Sequence, residues 1–95
     1  MLHILARITV KPESAAAARD ILTKLVGQSR QEAGCISYVL YQQAATPHIF
    51  QTVEAWTDQA AFDSHMSSAH LGVAVAAATP MFANPPEILP YTLLV

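Results

Sequence analysis

Two histidines, one acidic residue and three aromatic side chains hold most of the chemical potential of this 95-residue chain. His65 comes first, because an unperturbed imidazole, with a pKa of roughly 6.5, changes charge near neutral pH and can serve as a base or proton shuttle. The alternative is a packing residue whose ring hydrogen-bonds nearby groups. His70 is the second candidate. Five residues along one continuous helix would rotate its ring by about 140° from His65, at ~3.6 residues per turn, so the two converge only if the helix breaks between them.

Trp56, Tyr38 and Phe62 are the candidate substrate-binding side chains. Trp56 offers a flat wall for an aromatic ring, Tyr38 a phenol to orient a substrate oxygen, and each has an alternative place in the core. Glu54 lies on a mostly apolar strand, where a carboxylate needs a partner or a shifted pKa. Arg7 is the expected partner, in a structural pair at an interface between sheets. His3, His48 and Tyr91 are accessory candidates. No metal is expected: His65 and His70 lack the i, i+4 spacing of a helical zinc pair, and Cys35 has no companion thiol. Cys35 follows Gly34 with no histidine near it in sequence, and reads as a small buried thiol rather than a nucleophile.

The elements that must position these groups follow from periodicity. Leu2 to Val10 alternates as a strand. Lys11-Pro12-Glu13-Ser14 breaks it, and Ala17, Ala18, Ile21, Leu22, Leu25 and Val26 recur at helical spacing within a helix expected from about Glu13 to Ala33. Gly34 suits its C-terminal cap. Cys35 to Gln43 and His48 to Trp56 read as strands joined by a turn at Ala44 to Pro47. Thr57 is placed to cap a helix carrying Ala61, Phe62, His65 and Met66. Ser67-Ser68 marks a break before a second segment, from about Ala69 to Thr79, that Pro80 ends. The weakly polar run Leu71 to Ala83 reads as a buried helix. Ile88 to Val95 supplies the last strand, and Pro90 points to a sheet edge or a bulge.

The order is βαββαβ, an α+β, ferredoxin-like arrangement in one domain, residues 1–95, with the helices on one face of a four-stranded antiparallel sheet. Every strand carries apolar residues on both sides, so the other face needs a cover, and two sheets packed face to face in a homodimer supply it. The composition agrees, being 53% hydrophobic and 13% charged. A net charge of -2 gives no reason to bind nucleic acid or an anionic membrane, and a small organic ligand fits better. No apolar run approaches the ~20 residues of a membrane span. The N-terminal residues lack a signal-peptide pattern and the lone cysteine can form no intrachain disulfide, so a cytoplasmic location is expected.

The pattern Glu54-x-Trp56-Thr57-x-x-x-x-Phe62-x-x-His65-x-x-x-x-His70 resembles the antibiotic biosynthesis monooxygenase domain, including its quinol monooxygenases. Ala6-Arg7-Ile8 with Lys11-Pro12, Gly34-Cys35 with Tyr38, and Pro85-Pro86-Glu87 extend the resemblance over nearly the whole chain. It implies a dimeric α/β barrel and a cofactor-independent oxidation of a quinol or other phenolic or polycyclic aromatic by dioxygen. Gly27, Gly34 and Gly72 form no dinucleotide fingerprint, in agreement. The same scaffold serves haem-degrading relatives, for which His70 stands near an axial-ligand position. Those relatives resemble this chain less, with asparagine where it has Ala6 and tryptophan near His65. A non-catalytic small-molecule binding protein is the third alternative.

Overall fold

The computed structural model describes residues 1–95. Its elements are β1 (Leu2–Thr9), α1 (Ala15–Ser29), β2 (Cys35–Gln42), β3 (Ile49–Trp56), α2 (Gln59–Met66), α3 (Ala69–Ala78) and β4 (Glu87–Tyr91), with short 3-10 turns at Pro12–Ser14 and Thr79–Met81. The strands form one antiparallel sheet in the order β2-β3-β1-β4. This is the expected ferredoxin-like α+β arrangement. No helix is long and apolar enough to cross a membrane.

Alternation in β1 turns Ile4, Ala6, Ile8 and Val10 toward the helices, and in β3 it does the same for Phe50, Thr52, Glu54 and Trp56; all eight are buried. Ala18, Leu22, Leu25 and Val26 come down from α1 to meet them. Two clusters result, one around Phe50 and Val10 beneath the start of α1, the other around Trp56, Tyr38 and Val26 at the opposite end.

A register shift between Cys35 and Ser37 decides what β2 contributes. Cys35 pairs with Trp56 and Ser37 with Ala55, so Ile36 is an extra residue and stands exposed. Beyond this bulge Tyr38 lies opposite Glu54, and its ring turns inward while Val39 and Tyr41 turn outward. Simple alternation would also have buried Ile36.

Other boundaries differ from the sequence expectation for local reasons. Pro12 starts a 3-10 turn rather than the helix itself. α1 ends at Ser29, and residues 30 to 34 close through short bonds such as Glu32 N to Ser29 O and Cys35 N to Glu32 O. Asp58, not Thr57, caps α2, its carboxylate accepting from Ala61 N at 2.8 Å. The break at Ser67-Ser68 is present, and Ser68 caps α3 through Leu71 N. α3 is less buried than its composition suggested: Ala74 and Ala78 face inward, one turn apart, while Val73 and Val75 are exposed. β4 is the edge strand, as Pro90 implied, and ends at Tyr91 because β1, its only neighbour, begins opposite that point.

On the face away from the helices, cross-strand pairing aligns Val39, Val53, Leu5 and Leu89 into one apolar row across all four strands. The adjoining row, Tyr41, Gln51, Arg7 and Glu87, is polar apart from the tyrosine ring.

Gly34 lies where β2 starts beneath α2, and a Cβ there would be driven into the Ala61 Cβ, whereas one at Gly27 on the outer side of α1 meets nothing. Gly34→Ala should therefore destabilise the fold by about 1–3 kcal/mol through overpacking. Gly27→Ala should stabilise it by about 0.5–1 kcal/mol by restoring a better helix former. Urea unfolding of the two variants checks both signs.

Candidate functional site

Glu32 stands in the turn after α1, His65 in the last turn of α2 and His70 in the first turn of α3. The break at Ser67-Ser68 swings His70 back, and the two histidines converge on a single carboxylate oxygen. Glu32 Oε2 lies 2.7 Å from His65 Nδ1 and 2.8 Å from His70 Nε2. An ionised carboxylate only accepts, so each of these ring nitrogens carries its proton and donates it. His65 is thereby held with Nδ1 protonated, and its Nε2 makes no hydrogen bond to the protein.

The His65 ring is 2% exposed and wedged among aromatic neighbours. Its centroid is 4.6 Å from Trp56, 5.8 Å from Tyr38 and 6.2 Å from Phe62. Trp56 in turn donates from Nε1 to Glu54 Oε1 at 3.0 Å, and Thr52 Oγ1 donates to Glu54 Oε2 at 2.6 Å. Thr52 Oγ1 also accepts from Ala6 N, which ties this polar pair to the central strand β1.

Burial pushes the Glu54 carboxyl above the usual carboxylate range, against the opposing pull of the Thr52 and Trp56 hydrogen bonds and of His65. Burial is also the first cause that raises the Tyr38 phenol far above its ordinary value, followed by the charge of Glu54. Tyr38 is thus a neutral hydrogen-bonding group at any physiological pH. The half-buried Cys35 thiol is raised too, by burial and then by Glu32 and Glu54, which makes it a poor nucleophile.

A cavity with about 90 Å³ of free space lies between the sheet and the helices. Ala6, Tyr38, Thr52 and Glu54 form its floor, Leu22 and Leu25 one wall, and Phe62, His65, Leu71, Ala74 and Ala78 its roof. The lining is overwhelmingly apolar, with Thr52, Glu54, His65 and the Tyr38 phenol as its polar features. Of the residues singled out in the sequence, His65, Tyr38 and Phe62 line this space. Trp56 does not: it is fully buried and supports the His65 ring from behind. His70 also lies outside the cavity, bordering the groove between α1 and α3, and reaches His65 only through Glu32.

The expected Arg7–Glu54 pair is absent. Arg7 points from the opposite face of β1, and Glu54 finds its partners two residues away on its own strand. Glu32 was not foreseen, because no periodicity links a carboxylate in a helix-to-strand turn to imidazoles more than thirty residues later. The one signal was indirect: two histidines on separate helices need something to converge upon.

The antibiotic biosynthesis monooxygenase family profile matches residues 1–77. The chain belongs to this family. YcnE of Bacillus subtilis, named provisionally as a monooxygenase, is 30% identical over 89 residues, covering 94% of each chain. An uncharacterized protein of Synechocystis, sll1783, is 29% identical over 95% of this chain, which spans only 61% of that relative. Among solved structures, PA3566 from Pseudomonas aeruginosa superposes with a TM-score of 0.92 at 33% identity, over 99% of this chain and 94% of that one. Rv0793 from Mycobacterium tuberculosis does so with 0.90 at 26% identity, over 99% and 95%. The fold of this chain is thus shared with both of these structures over nearly its whole length.

The raised Glu54 carboxyl has a signed consequence for stability. The folded chain keeps this proton at pH values where the unfolded chain has already lost it, so stability falls as pH rises from the ordinary carboxylate range through the folded pKa. Glu54→Gln can still accept from Trp56 and donate to Thr52 but does not titrate. Its unfolding free energy relative to the native protein should rise as pH increases from the ordinary carboxylate range, about pH 4, upward. Urea unfolding at a series of pH values reads the difference.

Proposed function

We propose that the chain is a cofactor-independent monooxygenase that oxidises a phenolic or quinol ring with dioxygen, using His65 as the base. One observation carries this reading: a buried imidazole that lines an apolar cavity has its Nδ1 fixed by a carboxylate while its Nε2 has no protein partner. Glu32 sets the tautomer and steadies the imidazolium that forms when Nε2 takes a proton. The phenolate left behind is electron-rich and passes one electron to dioxygen. Closure of the radical pair forms a C–O bond to the ring, and loss of water from the resulting peroxide, with the proton returned by His65, leaves a quinone. One oxygen atom stays on the ring and the other leaves as water. The apolar walls keep bulk water from the phenolate and the peroxide.

The cavity volume favours a single ring over a polycyclic substrate. A dry cavity of about 150 Å³ takes benzene, so the present 90 Å³ must widen even for that. The wall best able to give is α3, which packs through alanines and exposes its valines. The haem alternative finds little support, because His70 Nε2 is engaged by Glu32 and lies outside the cavity.

His65→Ala should lower turnover of an accepted quinol by about 10²-fold or more, with the fold intact. Glu32→Gln should retain part of the activity, since it keeps an acceptor but loses the charge. Oxygen uptake with a panel of mono- and bicyclic quinols measures both. Unchanged uptake in His65→Ala would return that histidine to a packing role.

The working unit in this proposal is a homodimer formed across the open sheet face. The row Val39, Val53, Leu5 and Leu89 is an apolar stripe that isolated chains leave in water. Leu5→Lys places a charge in the middle of that row and should shift the chain from dimer to monomer at micromolar concentration. Sedimentation equilibrium distinguishes the two, and a native chain that sediments as a monomer would remove the dimer from the proposal.

A further inference from the structure

Glu32, His65 and His70 offer three ligand atoms that lie within 4.8 Å of one another, brought together from one turn and two helices. We infer that this cluster is a binding site for one borderline divalent cation of the zinc class, and that the ion and the free His65 base are mutually exclusive. Spacing along a single helix argued against a metal, but the histidines stand on two helices and the third ligand comes from elsewhere. Two imidazoles and one carboxylate are the donor set of an open, three-ligand zinc site, with water in the fourth position. Such nitrogen-rich sets select zinc, cobalt, nickel or copper over magnesium and calcium.

The geometry requires modest movements: the two edges at Glu32 open, and the edge between the two imidazoles closes from as much as 4.8 Å. Ligands at ~2.0–2.1 Å from a tetrahedral ion stand about 3.3 Å apart, whereas Glu32 Oε2 is now 2.7 and 2.8 Å from its two imidazole nitrogens. Each of those edges opens by about half an ångström as the shared protons leave. His65 is the fixed ligand, held by Trp56, Tyr38 and Phe62. His70 and Glu32, with side chains 22% and 17% exposed, have freedom to adjust and give the ion an entry from solvent that bypasses the cavity.

The chemical consequence follows from the tautomer. A neutral imidazole that ligates through Nδ1 carries its proton on Nε2. The Nε2 that the protein leaves unpartnered then becomes a donor instead of a base. This second half of the inference rests on the role proposed for His65; the binding itself does not.

Zinc titrated into tag-free protein, followed by calorimetry and by long-range proton–nitrogen spectra of the imidazole rings, tests both halves without any turnover. One ion per chain should bind, with affinity unchanged by excess magnesium and in His48→Ala. Affinity should fall at least about 10-fold in His70→Ala and in Glu32→Gln, since loss of a ligand costs no less than loss of an outer-shell partner. The His65 proton should move from Nδ1 to Nε2 at saturating zinc. A site that survives His70→Ala with the same affinity, or a His65 that keeps its Nδ1 proton when zinc is bound, would overturn the inference. Should binding follow this pattern while no quinol is consumed, the oxygenase reading fails and the metal site stands.

Discussion

A single carboxylate oxygen on Glu32 organises the roof over the cavity. α2 and α3 contain eight and ten residues, lengths at which an isolated helix is barely populated in water. They persist because they dock, α2 against β3 and α3 against α1, and because both are tied to the turn that ends α1. That turn in turn leads into β2, so the helical layer and the sheet meet at Glu32. A charge-assisted hydrogen bond contributes roughly 1.5–3 kcal/mol net, which is large for helices with so little apolar area of their own.

Beneath it, Glu54 plays the complementary part on the sheet. A carboxylate 3% exposed on a central strand is costly, and the donors from Thr52 and Trp56 offset part of that cost. The Trp56 indole, oriented by that bond, forms the surface on which the His65 ring lies. The position of His65 is therefore determined twice, by Glu32 at its edge and by Glu54 through Trp56 on its face. Such double constraint suits the proton-transfer role proposed for it, because the direction of its free lone pair would not wander.

How much of this was legible in the sequence depends on the range of the interaction. Local periodicity was sufficient for β1, β3, the core face of α1 and the break at Ser67-Ser68, since those signals lie within a few residues. Thr57 was named as the cap of α2 where Asp58 serves, because a helix start is not fixed to one residue without backbone geometry. The bulge at Ile36 left no mark either, as the run Cys35 to Tyr41 is apolar on both parities. Glu54 was rightly singled out as a buried carboxylate, but its partner was sought across the sheet on Arg7. That side chain occupies the other face of β1, and pairing within β3 was the shorter solution. Glu32 was out of reach because its meaning comes entirely from tertiary contacts.

The bulge also connects the fold to the chemistry. Had β2 paired with β3 without the extra residue, Ser37 would face Glu54 and Tyr38 would point to the open side of the sheet. The cavity would lose its phenol, His65 would lose an aromatic neighbour, and the apolar row of the open face would lose Val39. One inserted residue thus sorts β2 into two surfaces at once, with Tyr38 and Leu40 toward the helices and Val39 and Tyr41 away from them. The same shift brings the start of β2 beneath α2, where Gly34 allows the backbone to approach Ala61 and the Gly34 carbonyl accepts from Thr57 N at 2.9 Å. The cavity floor, the docking of α2 and the exposed apolar row are therefore not independent features. They follow together from the register of one strand pair, and a change that removed the bulge would be felt at all three.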